Sequence, residues 1–402
     1  MSARNAAPAS VPVSAATRQS QAAVYAVIVL GLISFGLVMS YSASFADSIS
    51  SGYSAMRGMR MQFLSALLGI AAAVAIWRLV PMRFLEGNFA FLIWGVCVIM
   101  VAYTARFGTL AYGARRWLDL GFVEFQPSEL MKIAIVIMCS KILADYRRGE
   151  LPVLHAVVMF LVAAGLPLAI ILKGQSDFGT TLICAVGILT LMLLGKVSWK
   201  IIVPILIVGL LVGFFAIFGT DYRAARITNW LDPWSDPDDG GYQLIHSYYA
   251  LSEGGVFGVG LGQSHEKFQY LPFAPNDFIF AVVGEELGLV GAAAVVLLFF
   301  ALLVAGLRIA FSCEDIFATM VSGSVVVMVV AEAFLNMGCV TGLFPITGKP
   351  LPFFSMGGTA LLVTIASMGL VLAAARDHDG NDLYTRRRDN LELVRGGRAQ
   401  QR

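Results

Sequence analysis

Residues 277–310, "DFIFAVVGEELGLVGAAAVVLLFFALLVAGLRIA", form a long apolar run with three carboxylates, Asp277, Glu285 and Glu286, at its head. No proline interrupts the run, and as one helix it would be about 51 Å long against a hydrocarbon core of about 30 Å. Such a segment belongs in a membrane and must protrude, tilt or break there. Gly284, Gly288 and Gly291 are where a break or a close helix contact is expected. Each carboxylate costs about 2.5–3.5 kcal/mol at a bilayer centre, so their presence needs a reason. Asp277 follows Pro275 and Asn276 at the outer interface, where it stays ionised and within reach of a substrate. Glu285 and Glu286 lie deeper and are expected to bond neighbouring helices or line a polar cavity. On position alone Asp277 reads first as the N-cap of this helix. Glu285 is about 12 Å further along the axis, a poor fit to the paired carboxylates of glycosidases, which stand about 5–9.5 Å apart.

The remainder of the chain has the same character. It is 58% hydrophobic and 13% charged, with a mean hydropathy of +0.78, which marks an all-α integral membrane protein. The net charge of +2 and the dispersed basic residues exclude a nucleic-acid partner. Five cysteines sit singly, without metal-ligand spacing, and read as packing residues. A span needs about 20 apolar residues, which gives about ten transmembrane helices, near 22–42, 61–80, 88–105, 128–145, 152–172, 177–195, 199–219, 277–306, 314–338 and 357–375. Residues 1–21 and 377–402 read as disordered tails around one membrane domain, 22–376. An even number of spans puts both termini on one side. Lys and Arg in the tails and alternate short loops, such as Arg78, Arg83, Arg147, Arg148, Lys196 and Lys200, place that side in the cytoplasm. The large loop, about 220–276, is then extracytoplasmic, and its Gly, Pro and aromatic content indicates order against the membrane surface.

The outer face keeps cations where they are normally depleted: Arg106, Arg115, Arg116, Lys173 and Lys349. That pattern suits an anionic ligand. Trp117 reads equally as an interfacial anchor or as a surface for a sugar ring, with the arginines holding a phosphate. Glu129 lies in the first turn after Pro127, ordinary helix-start chemistry that lets it pair with Lys132. Glu332 and Asn336 share a helix face pointing into the bundle. These residues fit either a transporter of an organic anion or an enzyme acting on a lipid-linked anion.

Five blocks, "GARRWLDLGFVEFQPSELMK", "SDFGTTL", "LDPWSDPDDGGYQLIHSYYALSEGGVFGVGLGQS", "KFQYLPFAPNDFIFAVVGEELGLVGA" and "TGKPLPFFSMGG", resemble in sequence and order the signature blocks of the SEDS family (shape, elongation, division and sporulation). They are closer to its division and sporulation branch than to its elongation branch. The resemblance implies a peptidoglycan glycosyltransferase of the bacterial cytoplasmic membrane, at the division septum, that polymerises lipid II on the outer face. Its implied partners are a class B penicillin-binding protein and other membrane proteins of the divisome. The family's essential aspartate falls on Asp277, the implied catalytic base, and its tryptophan on Trp117. Arg115, Arg116, Lys349 and Asp177, with Lys173 nearby, fall among its polar outer-face positions as substrate-binding candidates. Glu129, Lys132, Glu285, Glu286 and Glu332 are structural or cavity-lining candidates. No cofactor is specified, and a divalent cation, Mg or Mn, at the pyrophosphate is left open. The chain departs from the family at Phe273–Asn276, at Gln175-Ser176-Asp177 where Gln-Pro-Asp is usual, and at Met356 where Tyr is usual. The rival readings are a lipid II flippase, which would rely on Lys132, Glu285, Glu286 and Glu332, and a division scaffold that activates its partner synthase.

Overall fold

The computed structural model describes residues 15–50, 56–111, 113–119, 121, 124–218 and 221–376. In chain order the helices are α1 (Ala15–Ser50), α2 (Met56–Leu79), the short α3 (Met82–Glu86) and α4 (Phe89–Phe107). A small antiparallel sheet follows: β1 (Thr109–Ala111), β2 (Ala114–Asp119) and β3 (Glu124–Phe125). Then come α5 (Pro127–Arg147), α6 (Val153–Ala169), a π-helical turn at Ile170–Gly174, α7 (Phe178–Leu194) and α8 (Trp199–Phe218). Two shorter helices, α9 (Asp221–Leu231) and α10 (Tyr242–Gly254), lie in the large loop, and α11 (Ile279–Ser312), α12 (Ile316–Val340) and α13 (Gly358–Arg376) complete the bundle. Helix α1 begins at Ala15, within the segment read as a tail; residues 1–14 and 377–402 lie outside the described residues.

Among the described residues eight helices are long and apolar enough to cross a membrane: α1, α2, α4, α6 with its π turn, α8, α11, α12 and α13. The chain is therefore a multi-pass membrane protein with an α-helical body. The other two expected spans, 128–145 and 177–195, fall on α5 and α7. Helix α5 carries Glu129, Lys132, Lys141, Asp145 and Arg147, and α7 has only 17 residues, so length and composition alone do not qualify them.

Helix α12 is the axis of the fold, packed by α11, α7 and α5 and largely buried, whereas α8 presents nearly its whole apolar surface outward. At one end of the bundle three connections meet on Arg148, which pairs with Glu86 and, at 2.9 Å, with Asp315. At the other end the sheet, the turn before α7, the turn before α11 and the turn between α12 and α13 converge. Helix α5 joins the two ends.

The glycines of the apolar run act as the sequence indicates. Gly288 breaks α11 at φ 65°, ψ −165°, a conformation essentially confined to glycine. The backbone groups released there pair with the loop after α10: Val259 N donates to Glu285 O and Gly260 N to Glu286 O, each at 3.0 Å. Leu289 N donates to Gly255 O at 2.9 Å and Val290 N to Val256 O at 3.2 Å. A broken span is tolerated where other protein groups satisfy its backbone, and here the segment Gly255–Gly260 does so. Gly254 lies directly over Gly284 O, leaving no room for a Cβ. The large loop is thus ordered and stitched to the bundle, with Trp230 Nε1 donating to Gly342 O at 2.8 Å and Ser247 Oγ to Val340 O at 2.9 Å.

Candidate active site

The converging end of the bundle holds a cavity of about 930 Å³ whose wall includes Asp277, Lys349, Asp177, Arg116, Trp117, Gln62 and Gln126. Five separate parts of the chain meet there: α2, the sheet with the start of α5, the turn before α7, the turn before α11 and the turn between α12 and α13. Asp277 belongs to the turn before α11, outside the membrane-spanning segment. The residue capping α11 is Phe278 and no side chain caps it, so the reading of Asp277 as an N-cap fails and its carboxylate is free for the cavity. Lys349 comes from the turn between α12 and α13. Its neighbour Gly348, at φ 67°, passes so close that a Cβ there would stand 3.5 Å from Asp277 Oδ2.

Lys349 is buried, with one hydrogen-bond acceptor and two carboxylates around its ammonium. Its Nζ donates to Thr180 Oγ1 at 2.6 Å, and it stands 3.7 Å from Asp177 Oδ2 and 3.6 Å from Glu129 Oε1. The stem of Lys349 lies over Gly179, where a Cβ would come within 2.5 Å of Cγ and Cδ. Asp177 is the genuine N-cap of α7, accepting from Thr180 N at 2.9 Å and from the Thr180 hydroxyl at 2.7 Å. Burial would push its carboxyl up, but Lys349, Arg116 and the two Thr180 donors outweigh that and hold it at about 2. Burial likewise opposes the charge on Lys349, and Asp177, Glu129 and Glu332 outweigh it, so the ammonium titrates above its usual value. Asp277 is the contrary case: burial pushes its carboxyl above the ordinary range despite the pull of Lys349, Arg226 and Arg116. Two carboxylates facing one cavity thus have environments that separate their proton affinities, the condition under which one of them serves as a base.

Strand β2 delivers Arg116 and Trp117. Arg116 donates through Nη2 to Ser176 O at 2.7 Å and through Nε to Gln175 O at 3.3 Å, tying the sheet to the start of α7. Ser176 has φ 51°, which the usual proline could not adopt, so the Gln-Ser-Asp departure accompanies a different turn here. Arg115 turns away and donates to Gly108 O at 2.5 Å, outside the cavity wall. Lys173, in the π turn, is exposed and also outside the wall.

The five deeper residues are all engaged with protein partners. Lys132 pairs with Glu129 and with Glu332, both at 2.7 Å, directly behind Lys349. Glu286 accepts from Ser42 Oγ and from buried Lys267, both at 2.7 Å, binding α1 to the large loop. Glu285 accepts from Ser264 Oγ at 2.6 Å and from the amides of His265 and Glu266. Neither of these last two glutamates lines the cavity. Glu285 forms with Glu253 and His265 a group close enough to share an ion, but it is part of the loop and not of the cavity wall. In the cavity wall Asp177 and Asp277 stand with Lys349 and Arg116, whose charges suit an anionic group. Sequence reasoning missed Arg226, which acts electrostatically on Asp277, and Lys267 and Thr180, which bond to Ser42 and Lys349, far away in the chain.

A multi-pass membrane protein with a carboxylate and cations around one cavity at an end of its bundle is the class that fold and site define. Residues 22–380 match the family model for FtsW, RodA and SpoVE, described as "Cell cycle protein", and the chain belongs to that family. It is 34% identical over 344 residues, 85% of this chain and 91% of the relative, to the "Probable peptidoglycan glycosyltransferase FtsW" of Geobacter metallireducens. It is 34% identical over 360 residues, 87% of this chain and 95% of the relative, to "Stage V sporulation protein E" of Bacillus subtilis. The fold superposes with a TM-score of 0.68 at 26% identity on a chain from a study of "polymerization and crosslinking by a peptidoglycan synthase complex", covering 88% of this chain and 97% of that one. The crystal structure of Thermus thermophilus rod shape determining protein RodA, at 24% identity and a TM-score of 0.62, shares the fold over 88% of this chain and 96% of that one.

Proposed function

We propose that this protein is a peptidoglycan glycosyltransferase that polymerises lipid II at the outer face of the cytoplasmic membrane, with Asp277 as general base. The observation that carries the reading is a cavity in which one carboxylate of raised proton affinity faces a buried lysine and an arginine. Inverting transfer joins an acceptor sugar hydroxyl to the anomeric carbon of a donor sugar. Asp277 takes the hydroxyl proton as the new C–O bond forms. The bond to the lipid pyrophosphate breaks, and the departing anion needs positive charge more than a proton, which Lys349 and Arg116 supply. Trp117 presents a ring face on which a sugar can stack.

In this reading α5 and α7 also cross the membrane, giving ten spans with both termini cytoplasmic and the cavity outside. The similarity to a chain of a peptidoglycan synthase complex supports a partner that crosslinks the strands, a class B penicillin-binding protein at the septum. A flippase would need free polar groups along a path through the bundle. Lys132, Glu129 and Glu332 are instead engaged with one another, which favours the polymerase.

The test is strand synthesis from purified lipid II by the detergent-solubilised protein with its cognate synthase, whose transpeptidase is blocked, beside lipid transport in vesicles. Polymer from the wild type, with transport indistinguishable from protein-free vesicles, is the expected result. Transport without polymer would establish the flippase, and normal partner activation without either activity would establish the scaffold.

A further inference from the structure

We propose that Asn336 is the positioning residue of this site: its side-chain amide ties the main chain of Asp277 to that of Lys349, so that base and cation are held in register across the cavity. The inference rests on the polymerase reading for its catalytic meaning, and on geometry alone for the tie itself. Asn336 is buried near the outer end of α12, 2% exposed, one turn beyond Glu332. Its Nδ2 donates to Asp277 O at 2.8 Å and to Lys349 O at 2.7 Å. Two carbonyl acceptors use both N–H bonds of one amide and so fix which end of the side chain is nitrogen. The oxygen end is buried with no partner among the described residues, so the hydrogen-bonding work of this side chain is the double donation.

The tie matters because Lys349 is already anchored at its ammonium, whereas little else fixes Asp277. No hydrogen bond from the described residues reaches the Asp277 carboxylate, and the preceding turn is irregular, with Gln269 at φ 70° and Phe273 at φ 58°. The two turns also meet through Met356 N on Pro275 O at 2.9 Å and Ser355 Oγ on Asn276 O. Those bonds join Asp277's neighbours to the far end of the second turn. Asn336 alone, among the described residues, bonds to both Asp277 and Lys349, and it does so from the most enclosed helix of the bundle. Leucine at this position keeps the volume but removes both donors, which frees each turn to drift, and a drift of about 1 Å at a reacting group costs about 10²-fold in rate.

Asn336→Leu tests the proposal, with Asn336→Ser as the variant that retains a donor should the first fold poorly. Hydrogen exchange of the purified protein should quicken in the peptides covering 270–278 and 347–356, while that of 255–260 and 285–290 stays as in the wild type. Polymerisation should show kcat lowered about 10²-fold with KM within about threefold, and Asn336→Ser should lie between. The acid limb of the rate should also move toward the ordinary carboxylate range as water reaches Asp277, whose charged neighbours are Lys349, Arg226, Arg116 and Asp177. A merely structural loss would lower the amount of active protein and leave that limb in place. Unchanged exchange in both turns would overturn the tie whatever the activity. Quickened exchange with wild-type kcat, where Asp277→Asn is inactive, would overturn the positioning role. Quickened exchange together with full activity in Asp277→Asn would leave the tie standing and remove the polymerase chemistry built on it.

Discussion

Burial disfavours the charged form of Asp277. Its carboxyl has a folded-state pKa above its unfolded value, so ionisation disfavours the native state above the folded pKa, and the penalty is absent below the unfolded value of about 3.9. Asp277→Asn should therefore unfold at a higher temperature than the wild type at neutral pH, with the difference vanishing as the pH falls below that value. Thermal unfolding in detergent across pH checks this, and a less stable variant at pH 7 would contradict it. Asp177 has the opposite sign. Its carboxyl is held at about 2, so it contributes stability that is present above the unfolded pKa and is lost only as pH falls through about 2. Lys349→Met takes the shared ammonium away, leaving Glu129 to Lys132 and Asp177 to Thr180 and the charge of Arg116, and loss of one partner from a buried ionic group costs up to about 3–5 kcal/mol. We expect a large fall in unfolding temperature for Lys349→Met, in contrast to the gain for Asp277→Asn. Asp277 stood out in the sequence as a carboxylate at the head of an apolar run, where position alone read it as an N-cap and the family resemblance as the base. The Lys349–Thr180–Asp177 group did not, because 169 residues separate Lys349 from Thr180 and no local pattern joins them.

Helix α11 shows what periodicity and glycine placement reveal at the level of an element. Its length was readable from the apolar run, and a break at one of its glycines was one of three ways, with protrusion and tilt, for a helix of about 51 Å to fit a bilayer. The partner of the break was not readable, because Gly255–Gly260 supplies backbone groups rather than side chains. Gly288→Ala puts a Cβ 2.4 Å from Gly258 N and forces a conformation L-residues avoid, a strain of about 1–3 kcal/mol before any clash is counted. Loss of thermal stability, with quickened hydrogen exchange confined first to 255–260 and 285–290, is the expected outcome. The small sheet also escaped the sequence, since strands of 3, 6 and 2 residues leave no alternating signature. Yet it places Arg116 and Trp117, so the substrate candidates were legible as residues before the element that presents them was.

Across the whole molecule the polar chemistry separates to two ends joined by α5. Gln126, at its start, lines the cavity, and Arg148, at its close, gathers Glu86 and Asp315. A helix with its two ends in these two groups is expected to cross the membrane despite its charges, since Glu129 and Lys132 are buried and paired and Lys141 pairs with Asp145. Single cysteines at Glu150 and Asp238, in a background with the native five replaced, check the orientation with a membrane-impermeant maleimide on intact cells. Asp238→Cys should react at once and Glu150→Cys only after permeabilisation; reaction of Glu150→Cys from outside would remove α5 from the set of spans.

The central claim is that Asp277 removes the proton from the acceptor hydroxyl. The most direct measurement is the single-turnover rate of lipid II polymerisation against pH, for wild type and for Asp277→Asn. The wild-type rate should rise with pH through one limb lying above the ordinary carboxylate range, because only the ionised carboxylate accepts the proton. Asp277→Asn should retain about 1% of the rate or less, without that limb. The same limb persisting in Asp277→Asn would contradict the account and place the base on another group.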